Sequence, residues 1–199
     1  MHSLIPLTVI ALVIVDLFVL SFITSLEDTL LDKVPVISTN IANPKSWPTS
    51  RTGDHRFFGK AIFSRTGINR IDCLHEQAEK FFDAFEIIEE HVFDVPIYLR
   101  RIDVNLQYYG MDGSTHIDAK DNELTVMLMN NSQWKPEWGG QFQLVDGDTV
   151  VEEHDYVPGR VLIFPGNHPH RGLAPKVPSI FRYTTVSVSY THLTLPTKA

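Results

Sequence analysis

Between Ile97 and Val186 the chain alternates apolar and polar residues in short runs, cut by clusters of turn-forming residues. Ile97–Tyr109, Leu124–Met129, Gln141–Val145, Thr149–His154, Arg160–Phe164 and Ile180–Val186 each carry the β-branched and aromatic residues of a strand. Asp112-Gly113, Gly139-Gly140, Asp146-Gly147, Pro158-Gly159 and Pro165-Gly166 lie between them, where residues that bend the chain belong. Upstream the period changes. From Arg70 to Val92, Ile71, Leu74, Ala78, Phe81, Phe82, Phe85 and Ile88 recur at helical spacing, which predicts one long amphipathic helix ended by Pro96. Residues 40–56, with Pro44, Pro48 and Gly53 among hydroxyl and amide side chains, read as a loop. The pattern therefore predicts a mainly β chain with N-terminal helices: a sandwich or jelly roll braced by helices on one side.

The two ends need separate treatment. Leu4–Ile23 is almost wholly apolar and about as long as a bilayer-spanning segment. Asp16 interrupts it, no Lys or Arg precedes it, and it is rich in Val and Ile. These features favour a buried strand, followed by a helix beginning near Thr24 and Ser25, over a membrane anchor. Both readings stand, so the expected location is cytoplasmic, with an N-terminal anchor as the alternative. Residues 188–199 resemble the in-frame translation of a sequencing-library adapter and are set apart as a non-native tail, which excludes His192 from the site. Residues 1–96 then supply a strand and supporting helices to the same domain as the core, 97–187.

At 199 residues the chain suits one well-packed domain. Its net charge of −7 argues against binding a phosphate backbone, so no nucleic-acid partner is expected. The single cysteine, Cys73, allows neither an internal disulfide nor a thiolate zinc site. Any metal must be held by His, Asp or Glu.

That requirement leads to His116-Ile117-Asp118. On a strand, residues i and i+2 share a face, so an imidazole and a carboxylate would point the same way. The triplet alone is ordinary. His170, far downstream in the segment from Gly159 to His170, offers a third ligand, with His168 as its rival across the same strand face. Two imidazoles and one carboxylate on one side of a metal leave the opposite side open, an arrangement suited to Fe(II). Further on, Arg182, Thr184 and Val186 would share a face, and an inward guanidinium is costly unless it meets an anion.

Taken in order, these pieces resemble the catalytic domain of the Fe(II)/2-oxoglutarate-dependent dioxygenases. The branch is the prolyl 4-hydroxylase-like one, of the phage and marine bacterial type. The matching residues are Leu106–Gly110, His116 with Asp118, Leu124–Asn131, Trp134, Trp138-Gly139-Gly140, Gly159–Phe164, Pro169-His170 and Arg182. The resemblance implies a double-stranded β-helix core of the jelly-roll or cupin-like kind. It implies Fe(II) on His116, Asp118 and His170, with 2-oxoglutarate and O₂ as cosubstrates and ascorbate as an optional reductant. Arg182 would pair with the distal carboxylate of 2-oxoglutarate, helped by Tyr108 or Thr184. Met129 stands where many relatives have a cosubstrate-binding tyrosine. Trp134, Trp138 and the adjoining glycines are expected to pack a barrel corner.

The implied activity is hydroxylation of a C–H bond, with a prolyl residue in a peptide as the analogy-based substrate and succinate and CO₂ as co-products. Small-molecule substrates stay open. Two alternatives of other classes are a non-catalytic jelly-roll binding module and a cupin-type metal enzyme that ignores 2-oxoglutarate.

Overall fold

The computed structural model describes residues 11–13, 58–67, 69–120 and 123–191. The elements in chain order begin with β1 (Ala11–Val13), β2 (Phe58–Thr66), β3 (Arg70–Leu74), α1 (Ala78–Val92), β4 (Ile97–Tyr108) and β5 (Glu123–Met129). A 3₁₀ turn (Pro136–Trp138) then leads to β6 (Phe142–Asp146), β7 (Thr149–His154), β8 (Val161–Pro165), β9 (His170–Gly172) and β10 (Phe181–Thr191). Seven strands form one antiparallel sheet in the order β1-β8-β5-β10-β4-β2-β3, and three form a second in the order β7-β6-β9.

Strand alternation gives the large sheet two different faces. Ile102, Val104 and Leu106 of β4, Val126 and Leu128 of β5, Val161 and Ile163 of β8 and Tyr183 of β10 point outward. There they meet Ala78, Phe81 and Phe85, the apolar stripe of α1. Met127 and Met129, Leu162 and Phe164, and Val186 point the other way and pack on Phe142 and Leu144 of the small sheet. The second layer is the jelly-roll core, and the site lies within it.

The expectation of N-terminal helices is corrected. Among the described residues there is one α-helix, and it starts at Ala78 rather than Arg70. Residues 70–74 are instead a strand, paired antiparallel with β2 across a turn whose Gly67 has φ +63°. Ile71 and Leu74 fit the helical spacing by number, yet each is 59% exposed, so no buried face draws them into a helix. The expected helix start at Thr24 lies outside the described residues, as does the loop at 40–56. Within the Leu4–Ile23 stretch, Ala11–Val13 is strand, in register with Val161–Ile163 of β8. No helix among the described residues is long and apolar enough to cross a membrane. Besides β3, two strands were not anticipated, β2 and β9, and β10 runs past Val186. Val188 sits opposite Arg101 and Thr125, and its side chain is fully buried.

Candidate metal centre and anion anchor

Between the two sheets lies a cavity with a histidine-carboxylate corner and a guanidinium corner, both lined by inward residues of β4, β5 and β10. The first corner is built on irregular backbone. His116 and Asp118 were expected on a strand, but His116 forms an isolated bridge and Asp118 lies in a bend. The bridge joins His116 to His170 through two main-chain hydrogen bonds, His116 N to His170 O at 3.0 Å and the reverse at 2.9 Å. Asp118 N and Ala119 N both donate to Gly166 O, at 2.9 and 3.0 Å. Main chain therefore holds all three residues.

Each imidazole is oriented by its far nitrogen. His116 Nδ1 lies 2.9 Å from Ser114 O and His170 Nδ1 lies 2.8 Å from His168 O. A carbonyl only accepts, so both Nδ1 atoms carry a proton, and both Nε2 atoms are turned toward Asp118. His116 Nε2 is 3.6 Å from Asp118 Oδ1, and His170 Nε2 is 3.4 Å from Oδ2. One ligand atom from each residue lies within 4.8 Å of the other two. His170 is buried and flanked by the rings of Phe142 and Phe164. His168, the rival ligand, contributes its carbonyl to His170 rather than its ring to the cluster.

Two further side chains hold the Asp118 carboxylate. Thr125 Oγ1 donates to Oδ2 at 3.0 Å, and Arg101 Nη2 approaches Oδ1 at 3.6 Å. Burial alone would raise this carboxyl, but His170, then His116 and Arg101, hold it well below the usual carboxylate range. Asp103, two residues along β4 from Arg101, pairs with it at 3.1 Å. Burial and the nearby Asp118 push Asp103 up to about 6, against the pull of Arg101.

The donor set is two imidazole nitrogens and one carboxylate oxygen, with no fourth protein ligand among the described residues. A closed structural zinc site would need that fourth ligand. Three donors with open positions fit Fe(II). The residues present therefore suit the metal that the sequence pattern implies.

The second corner is built on paired strands. Arg182 of β10 stands in register with Gln107 of β4, and its side chain is 98% buried, being 2% exposed. Its Nε donates to Gly140 O at 3.0 Å and its Nη1 to Gln107 Oε1 at 2.8 Å, while Nη2 has no partner. Tyr156 lies under the guanidinium, 5.0 Å from ring centre to Cζ. Burial lowers Arg182 to about 10, so it is still a cation at neutral pH. No carboxylate reaches it among the described contacts. A buried cation with one unpaired nitrogen, lining a cavity, is arranged to receive an anion.

Two other residues expected beside Arg182 part company. Thr184 lines the cavity on the same face of β10, in register with Asn105 and Met129. Tyr108 does not. It follows Gln107 by one residue, so the strand turns it to the opposite face, where it is 43% exposed and stacks on Phe58. Gln107 takes the place assigned to Tyr108. Met129 lies in the inner apolar cluster, and its sulfur accepts a hydrogen bond from Val157 N at 3.2 Å.

The Trp-Gly-Gly step does pack, with Trp134 Nε1 donating to Gly139 O at 2.9 Å. It also serves the anchor, because Gly140 supplies the carbonyl that holds Arg182 Nε. Gly140 has φ +81°, and a Cβ there would come within 2.8 Å of Trp134 Cζ2. Thr125, Gln107 and Gly140 were not marked as functional by sequence. The one signal was alternation, since Gln107 shares a face with Asn105 whereas Tyr108 does not.

Residues 104–187 match the family described as the 2OG-Fe(II) oxygenase superfamily. No curated protein sequence is significantly similar to this chain. Among solved structures it is similar to a prolyl-4-hydroxylase from Pseudomonas putida, at 18% identity and TM-score 0.55, over 87% of this chain and 88% of that one. It is also similar to a viral collagen prolyl hydroxylase from Paramecium Bursaria Chlorella virus-1, at 15% identity and TM-score 0.52, over 86% and 91% of the two chains. An oxidoreductase of the 2OG-Fe(II) oxygenase family from Burkholderia pseudomallei is similar over 74% of this chain and 75% of that one, at 16% identity and TM-score 0.55. At these identities the structural likeness is one of fold.

Proposed function

We propose that this chain, whose residues 104–187 match the 2OG-Fe(II) oxygenase superfamily, is a dioxygenase that hydroxylates a C–H bond, with a prolyl residue in a peptide as the substrate class. The observation that carries the site assignment is the juxtaposition of two poles in one cavity, a His-Asp-His cluster and a buried, unpaired guanidinium nitrogen. The peptide substrate is supported by likeness to the bacterial and viral prolyl hydroxylases, and more weakly than the cofactor pair.

His116, Asp118 and His170 bind Fe(II) through Nε2, a carboxylate oxygen and Nε2. Their orientation comes from Ser114 O, Thr125 Oγ1 and His168 O. When bound, Fe(II) supplies the redox chemistry that divides O₂ between succinate and the hydroxylated product, with release of CO₂ from 2-oxoglutarate. Arg182 takes the distal carboxylate of the keto acid, and Thr184 lines the wall beside it. Phe142 and Phe164 shield His170 from water.

The decisive experiment needs no substrate. Fe(II) and 2-oxoglutarate are added to the protein without oxygen, and the visible charge-transfer band of a chelated keto acid is sought, with Asp118→Ala as control. A band present in the wild type and absent in the control is expected. Metal binding without a band would favour a cupin-type enzyme that ignores 2-oxoglutarate, and no metal binding at all would sink the enzymatic reading of the site.

A further inference from the structure

Arg182 has three nitrogens, and the protein occupies two of them in a particular way. Nε is held by a main-chain carbonyl, Gly140 O. Nη1 is held by a side chain, Gln107, which is itself buried and doubly tethered. Its Nε2 donates to Met111 O at 2.8 Å and to Gly172 O at 3.0 Å. A side-chain amide has two N–H groups, and both are accounted for by these carbonyls. That arrangement dictates the amide's orientation, because reversing it would set its oxygen against two carbonyl oxygens. Gln107 Oε1 must therefore face Arg182, and nothing on Gln107 is left to donate to a ligand.

The surroundings are fitted to this geometry. A Cβ on Gly172 would lie 3.1 Å from both Arg182 Nη1 and Gln107 Oε1, so the backbone of β9 closes directly over the hydrogen bond. Gly172 O also accepts from Gly113 N at 2.9 Å, which links this strand, the one bearing His170, to the segment leading to His116. A glutamate of equal size at 107 would neutralise the guanidinium and could not donate to either carbonyl. A neutral amide fixes Arg182 without consuming its charge.

We propose that Gln107 is the positioning residue for the distal carboxylate of 2-oxoglutarate, acting only through Arg182 by holding the guanidinium so that Nη2 faces the cavity. The proposal rests on the reading that Arg182 receives that carboxylate.

The test compares 2-oxoglutarate with 2-oxobutyrate, a keto acid without the distal carboxylate, by calorimetry on Mn(II)-loaded wild type and Gln107→Leu, with Tm recorded for each. Gln107→Leu is expected to weaken 2-oxoglutarate binding about tenfold or more, the scale of a lost hydrogen bond to a charged group. It should leave 2-oxobutyrate within about twofold and should bind Mn(II) normally. Unchanged 2-oxoglutarate affinity, or an equal loss for both keto acids, overturns the proposal. Should Gln107→Leu fail to fold, Gln107→Glu carries the test, with 2-oxoglutarate binding lost and 2-oxobutyrate binding kept. Undiminished 2-oxoglutarate binding in that variant also overturns it. A wild type that binds both keto acids equally refutes instead the assignment of Arg182, and Gln107 with it.

Discussion

The two poles of the cavity are built by different means. The metal corner draws on residues outside the long strands, His116 in a bridge and Asp118 in a bend, and main-chain hydrogen bonds hold them. The anchor corner sits on β10 and β4, neighbours in the middle of the large sheet, and its side chains are held mainly by one another and by Gly140. In the first, each imidazole is oriented by a carbonyl two residues before it, and main-chain bonds then join the 116–119 segment to the 166–170 segment. The second joins positions far apart in sequence. This difference predicts that metal affinity and keto-acid affinity can be broken separately.

Asp118→Ala should have the largest effect. It removes the only carboxylate of the donor set and leaves two imidazoles facing each other. Loss of measurable Fe(II) binding and of turnover is expected, and retained turnover would refute the ligand assignment. Arg182→Leu comes next and acts on the other pole. It deletes the cation and leaves Gln107 Oε1 and Gly140 O without their donor, so 2-oxoglutarate affinity should fall by about a hundredfold, the scale of a buried charged pair. Fe(II) binding, followed by direct titration, should survive. Equal losses of both ligands would mean that the two poles are not separable.

Thr125→Val sharpens the same comparison more gently. The methyl replaces the hydroxyl that donates to Asp118 Oδ2, and loss of such an orienting partner lowers metal affinity about ten- to hundredfold. Keto-acid discrimination should not change. The smallest expected effect concerns Asp103, whose folded-state pKa of about 6 lies above its ordinary value of 3.8. Between those values the folded protein holds the proton more tightly than the unfolded chain. This group's contribution to stability therefore falls as pH rises from about 4 to about 6. Asp103→Asn should flatten that part of the metal-free stability profile, which denaturant titration at several pH values would measure. An identical slope in the variant would show that Asp103 ionises normally. Asp118 acts in the opposite sense and in another window, since its lowered pKa makes its contribution fall as pH drops below about 4.

Much of this architecture was legible along the chain. Alternation and turn residues located β4 to β8 to within a residue or two, because β4, β5, β6 and β8 bury residues in a core, while the largely exposed β7 is bracketed by its turn residues. The side chains expected to meet, His116, Asp118 and His170, do meet, and Arg182 and Thr184 do share the cavity wall. Where reading failed, burial was missing or a register was unknown. Ile71 and Leu74 kept a helical period on a strand whose faces are largely exposed. β9, three residues long, is too short to show any period at all.

The choice between Gln107 and Tyr108 is the sharpest instance. Both are polar and adjacent, and a phenol is the more familiar partner for a carboxylate. Composition and alternation place the two on opposite faces, but neither says which face meets Arg182. That was decided when β10 paired with β4 in the register that sets Arg182 beside Gln107, turning Tyr108 toward Phe58. A one-residue change of register exchanges every side chain between faces. The sequence by itself determined which residue types were available for metal and anion, and on which strands most of them would lie. Only the tertiary structure decided which of them look at each other, because pairing between distant strands is settled by the burial of whole faces and not by any residue alone.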